Sequence, residues 1–178
     1  MLKIIGGKFK TRVIDTPNSD TLPSKNMVRE AISSALRDKI VDAYVLDLFS
    51  GSGAVGIEFI SRGAKYCLFN DVSKEAYSII QNNLNKLQIK GMGVSNLDYL
   101  SALERNKSML FDIIFLDPPY KLKESYHNSI KYILDNHMLK EDGVIVIEYE
   151  GEVEVDEADF SSIRDYKYGK TKIKILWR

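Results

Sequence analysis

The chain of 178 residues has a single cysteine, Cys67. An internal disulfide is therefore excluded, and its setting in the apolar run KYCLFN predicts a buried structural thiol. Only two histidines occur, His127 and His137, at no spacing that makes a metal site. No apolar run approaches the roughly 18 residues that span a bilayer. The N-terminal MLKIIGGKFKTR carries no segment of signal-peptide character. The expectation is a cytoplasmic protein with no metal and no membrane partner. Repeats, low-complexity tracts and long linkers are also missing. At 44% apolar content, the chain reads as one domain over residues 1–178 with ample material for a core.

Net charge is absent too, but it is absent unevenly. Residues 1–40 carry net +4, residues 41–160 net −9 and residues 161–178 net +5. Two basic ends around an acidic body fit a polyanionic partner touching both ends, or simple charge balance.

The order of elements predicts an α/β fold. Residues 1–40 form an extension: a strand over Leu2–Ile5, a turn at Gly6-Gly7, a second short strand, and a helix over 25–39. Ser24 is its expected cap, and Val28, Ile32, Ala35, Leu36 and Ile40 share one face. Residues 41–178 form the core. Strands are expected at Tyr44–Phe49, Lys65–Asn70, Gly93–Ser95, Phe111–Leu116 and Val144–Tyr149. Helices are expected at about 54–62, 73–88, 98–106 and 124–136. Such alternation implies parallel strands and right-handed crossovers in a doubly wound sheet. Ser161–Tyr168 and Thr171–Trp177, joined by Gly169-Lys170, predict a closing antiparallel hairpin. A parallel sheet finished in this way, seven strands in all, is the outline of the Rossmann-like class I methyltransferase fold.

The first core strand runs into DLFSGSGAVGIE. Gly51, Gly53 and Gly56 fit G-x-G-x-x-G, and Asp71 follows 20 residues after Gly51. Glycines there let a ligand approach the backbone, and an acid ending the next strand can hold ribose hydroxyls. Two cofactor classes use such a turn. Asp47, just ahead of the glycines, separates them. A carboxylate there would repel the pyrophosphate of NAD but attract the ammonium and sulfonium of S-adenosylmethionine. Asp47 has a second reading, as a hydrogen-bond acceptor for the loop backbone. Asp98 likewise reads both as an acceptor for the adenine amine and as a helix N-cap. The remaining cofactor contacts are expected from Phe49, Ser50 and Ser52 in the turn, Val72 beside Asp71, Tyr99 beside Asp98, and Asp117.

The fourth core strand ends in FLDPPY. It lies next to the first across the switch point, so its end faces the cofactor. An exocyclic amine on a base is a poor nucleophile, because its lone pair is delocalised into the ring. Acceptors around its N–H groups draw the nitrogen toward tetrahedral geometry. Asp117 supplies a carboxylate and Pro118 a carbonyl. Pro119 stiffens the turn and adds no competing N–H, and Tyr120 offers a ring for stacking. These four are the candidate catalytic residues.

Taken together, IIGGKFK, MVREAISSAL, DLFSGSGAVGIEFISRGA, Asp71, NLDYL, FLDPPY and YGKTKI resemble the bacterial 16S rRNA guanine-N2 methyltransferases nearly end to end. The resemblance implies S-adenosylmethionine as cofactor. It implies one guanine of 16S rRNA as substrate, within a partly assembled small ribosomal subunit. No spare amphipathic element stands out, so a monomer is expected. Lys8, Lys10, Arg12, Arg29, Lys170 and Lys172 are then expected to contact RNA, with Lys3, Lys167 and Lys174 as further phosphate contacts. The family usually has Arg, Asp and a basic residue where this chain has Leu22, Asn26 and Met27. The competing readings are methylation of adenine in DNA or of a protein glutamine, a methyltransferase-like RNA-binding protein without catalysis, and an NAD-dependent oxidoreductase. For the DNA enzyme, these residues leave none over for a target-recognition region.

Overall fold

The computed structural model describes residues 1–17, 23–119 and 121–178. An antiparallel ribbon of β1 (Leu2–Lys3) and β2 (Val13–Ile14) precedes the helices α1 (Pro23–Ala35) and α2 (Arg37–Ile40). The core then alternates. β3 (Tyr44–Asp47), β4 (Tyr66–Asn70), β5 (Gly93–Ser95), β6 (Phe111–Leu116) and β7 (Leu139–Tyr149) are separated by α3 (Ala54–Ser61), α4 (Lys74–Lys86), α5 (Tyr99–Arg105) and α6 (Glu124–Asp135). The hairpin β8 (Ser162–Tyr168) and β9 (Thr171–Trp177) closes the chain.

The main sheet has seven strands in the order β5-β4-β3-β6-β7-β9-β8. β3 to β7 pair in parallel, and β9 runs antiparallel to both β7 and β8. This is the class I methyltransferase arrangement. The chain winds outward from β3 in one direction and from β6 in the other, so the switch point lies between those two strands.

Alternation along the strands sorts the core into two layers. Val45, Ile113, Phe115, Val144 and Val146 pack with α1, α2, α3, α4 and the N-terminal ribbon. Leu46, Ile114, Leu116, Ile145 and Ile147 pack with α5 and α6. The apolar face foreseen on the first helix is real: Val28, Ile32, Leu36 and Ile40 are all buried. Each contributes roughly 1.5–3 kcal/mol by leaving water, so packing rather than helix propensity holds this segment. Cys67 is buried, and burial pushes its thiol up.

Several boundaries differ from the sequence expectation, each for a local reason. The first strand stops at Lys3, because the Ile5 and Gly6 amides donate instead to the Glu58 carboxylate. The first helix starts at Pro23 and breaks at Leu36 (φ −105°, ψ 12°) before α2. β7 begins at Leu139 instead of Val144, and its register on β6 shifts between Phe111 and Ile113. Glu141-Asp142-Gly143 disguises that extension as a turn. A short 3-10 turn at Glu157–Asp159 was not foreseen. Asp112, which interrupts the apolar β6, is also explained: it accepts the Tyr44 amide at 2.8 Å and pairs with Lys140 at 2.9 Å.

Candidate active site

A cleft of about 630 Å³ opens at the C-terminal ends of β3, β4, β6 and β7, beside α1. It brings together nearly all of the residues singled out in the cofactor and Asp-Pro-Pro motifs. Asp47, Phe49, Ser50, Gly51, Ser52, Asp71, Val72, Asp98, Tyr99, Asp117, Pro118 and Pro119 all line it. Tyr120 lies outside the described residues, as do Thr21 and Leu22.

The glycine turn is built tightly. Gly51 and Gly53 adopt positive φ (54° and 77°), and α3 starts directly after Gly53. Gly56 does not line the cleft but packs behind it. A Cβ there would lie 2.3 Å from the Phe69 ring and 2.7 Å from Cys67 Sγ. Only glycine lets α3 approach β4 this closely, and that approach sets the depth of the cleft floor.

Asp47 is 1% exposed. Its Oδ2 accepts the Gly56 amide at 3.1 Å, while its Oδ1 is buried without a hydrogen-bond partner among the described residues. Burial, aided by the nearby Asp71 charge and opposed by hydrogen bonds from Gly56 and Ser50, raises its pKa to about 7. The backbone-acceptor reading of Asp47 is met at Oδ2, and Oδ1 faces the site without a protein partner among the described residues. Asp71 accepts the Gly51 amide (2.8 Å) and the Ser73 amide (2.9 Å), which fixes its carboxylate at the rim. Asp98 caps α5 by accepting the Ser101 amide at 3.0 Å while also lining the cleft. That hydrogen bonding holds its pKa below the usual range. The Phe49 and Tyr99 rings meet at 5.7 Å and form an apolar wall next to Asp98.

Asp117 follows β6 directly. The Pro119 carbonyl accepts the Leu122 amide at 2.8 Å, so it turns into the next loop. The Pro118 carbonyl accepts no hydrogen bond among the described residues.

The predicted RNA contacts separate into two groups. Lys8, Lys10, Arg12 and Lys170 are exposed; Arg12 reaches the Lys86 carbonyl and Lys8 lies over the Phe9 ring. Lys172 is half-buried, with Nζ on the Gly151 carbonyl at 2.7 Å. Arg29 is in neither place. It is 4% exposed and lines the cleft from α1. One guanidinium nitrogen reaches the Lys3 carbonyl (3.0 Å) and Asn26 Oδ1 (2.8 Å). The other two are buried without partners among the described residues. Burial lowers its pKa, against an opposing pull from Glu58.

Sequence reasoning missed the residues that hold these parts in place. Asn70 is buried and fastens two loops and β5: its Nδ2 donates to the Leu48 and Leu97 carbonyls, and its Oδ1 accepts from the Ser95 hydroxyl and the Leu97 amide. Asn83 joins Asp15 to the Ser52 carbonyl. Lys25, Glu148 and Glu150 also line the cleft. Six carboxylates thus face two cations there, a balance that favours a positively charged ligand.

The profile of the family described as Conserved hypothetical protein 95 matches residues 2–177. The chain belongs to this family. Among its relatives, the Bacillus subtilis protein YlbH is 35% identical over 98% of this chain and 97% of its own length. The Escherichia coli Ribosomal RNA small subunit methyltransferase D is 33% identical, over 85% of this chain and 76% of its own. The solved E. coli structure of yhhF superposes with a TM-score of 0.85 at 30% identity, covering 99% of this chain and 97% of that one.

Proposed function

We propose that this member of the family methylates the exocyclic N2 amine of a guanine in small-subunit ribosomal RNA, with S-adenosylmethionine as methyl donor. Relatives that cover most of this chain are named as small-subunit rRNA methyltransferases, which supports the substrate class. The single observation that carries the reading is that the Asp117-Pro118 acceptors and the Asp47 glycine turn share one cleft.

The residues present fit the cofactor. Two buried groups in that cleft have unused polar atoms, and their signs are opposite: Asp47 Oδ1 and two nitrogens of Arg29. An amino-acid zwitterion offers the matching ammonium and carboxylate. Asp71 would hold the ribose, and the Phe49–Tyr99 wall with Asp98 would take the adenine. An NAD pyrophosphate would instead meet an acidic cleft.

The bound cofactor supplies an electrophilic methyl on a sulfonium that leaves as a neutral thioether. The chain's own part is positioning. Asp117 and the Pro118 carbonyl accept the two N–H groups of the target amine. This turns its lone pair toward the methyl group and stabilises the positive charge that builds on nitrogen. The new C–N bond replaces C–S, and the surplus proton leaves along the hydrogen bond to Asp117 or to solvent. No strong base is required.

Incubation with methyl-labelled cofactor and small subunits, naked rRNA or DNA, followed by nucleoside mass spectrometry, tests the reading. The expected product is N2-methylguanosine from rRNA. Label in adenine or in protein, or none at all, would sink it.

A further inference from the structure

Glu148, like Lys25 and Glu150, is an ionisable group in the cleft that this mechanism leaves without a task, and of the three it alone lies on a strand beside Asp117. β6 and β7 pair Leu116 with Ile147, so the next residues, Asp117 just after β6 and Glu148 near the end of β7, lie side by side. Phe115 and Val146 face the α1 side of the sheet, and Leu116 and Ile147 face the opposite side. By alternation Asp117 and Glu148 both return to the α1 side, and both line the cleft. The strand spacing of roughly 4.8 Å puts them within the width of one base edge.

The Glu148 backbone is fixed. It pairs with Ile173 on β9, and its carbonyl accepts the Tyr126 hydroxyl at 2.8 Å. Its side chain is half-buried and lines the cleft. Burial raises its pKa, Lys25 opposes this and Glu150 adds to it. A carboxylate placed in this way can accept from a donor that enters the cleft.

The bases differ at the atom beside their amine. In adenine and cytosine, the ring nitrogen next to the amine carries a lone pair. In guanine, the N2 amine has an N1–H donor beside it. We propose that Glu148 accepts the N1–H of the target guanine while Asp117 and Pro118 hold its N2 amine, and so selects guanine over adenine and cytosine. The same carboxylate repels the lone pair that the other two bases would present. This assignment rests on the reading of the site as an rRNA amine methyltransferase.

2-Aminopurine tests it, because it keeps the N2 amine but has a lone pair at N1. The methylated nucleotide is first mapped by mass spectrometry. Small subunits are then reconstituted with 16S rRNA carrying guanine or 2-aminopurine at that position. The wild-type protein is expected to prefer guanine by roughly 10- to 100-fold or more in kcat/KM, the value of one charge-assisted hydrogen bond. Glu148→Gln keeps the shape and can donate to N1 of 2-aminopurine. It should narrow the preference at least tenfold, with cofactor affinity unchanged by calorimetry. Equal wild-type rates on the two substrates overturn the assignment. So does an equal loss on both in Glu148→Gln, which would mark a merely structural role. A wild-type protein that methylates no guanine in rRNA overturns the underlying reading, and this assignment falls with it.

Discussion

Asp47 should couple cofactor binding to proton release, and the size of the effect follows from its burial. Its pKa rises from 3.8 to about 7 in the folded protein. At about 1.4 kcal/mol per pH unit, the ionised form is disfavoured by roughly 4 kcal/mol relative to the unfolded chain. A folded-state value above the unfolded one means that the folded protein binds the proton more tightly. Asp47 therefore erodes stability as pH rises from about 4 to about 7, and no further above that. A cation at Oδ1 reverses the balance. The cofactor ammonium stabilises the carboxylate, so the proton must leave when it binds. At pH 6 about nine in ten free molecules hold that proton and at pH 7 about half do. Binding should thus release close to one proton at pH 6 and about half of one at pH 7, and affinity should rise with pH across this window. Both points lie below the titration of the cofactor's own amino group, which falls near pH 8.

Titration calorimetry in two buffers of different ionisation enthalpy counts these protons directly. Asp47→Asn removes the titrating group and should reduce the release to near zero. It should also flatten the stability of the free protein between pH 4.5 and 7, and weaken cofactor binding at least tenfold at pH 7. A wild-type protein that releases no protons at pH 6 would refute the placement of Asp47 against the ammonium.

Four further outcomes are expected. Asp117→Ala should lower kcat by roughly 10²- to 10³-fold while leaving cofactor affinity within a few fold, because its acceptor acts on the target amine; single-turnover transfer and calorimetry separate the two. Arg29→Met should weaken S-adenosylmethionine binding at least tenfold yet hardly change binding of the decarboxylated cofactor, since only the former carries the anion that its buried nitrogens await. Gly7→Ala should cost roughly 2–5 kcal/mol: φ is 74°, a Cβ would lie 1.9 Å from the Ser61 carbonyl oxygen, and the Lys8 and Phe9 hydrogen bonds to Ser61 would part; chemical denaturation and faster amide exchange at Phe9 would register it. Replacing Lys8, Lys10 and Lys170 together by Gln should weaken rRNA binding and reduce the slope of log affinity against log salt by about 2, with cofactor affinity unchanged.

What was legible in the sequence and what was not divide along a physical line. Periodic apolar pattern showed nearly every core strand and helix, because burial on one or both faces is a local, repeating constraint. The glycine turn and FLDPPY were legible because their chemistry sits in consecutive residues. The polar residues that hold the site together were not. Glu58 meets Ile5 and Gly6 across 53 and 52 residues, Asn83 meets Asp15 across 68, and Asp112 meets Tyr44 across 68. In a linear reading each is only a polar break in an apolar run, since nothing nearby in sequence marks its partner. Arg29 and Glu148 were hidden in the same way. The first stood among the expected RNA contacts, and the second belonged to no motif. Topology turns both into parts of the cleft. α1 crosses the strand ends and buries the arginine, and the β6–β7 register sets the glutamate beside Asp117. The resemblance set Arg29 among the RNA contacts, and the structure buries it in the wall of the cleft. A surface lysine keeps its water when unpaired. A guanidinium 4% exposed does not, so its unused nitrogens are far more costly to leave empty than any exposed cation of the two basic ends.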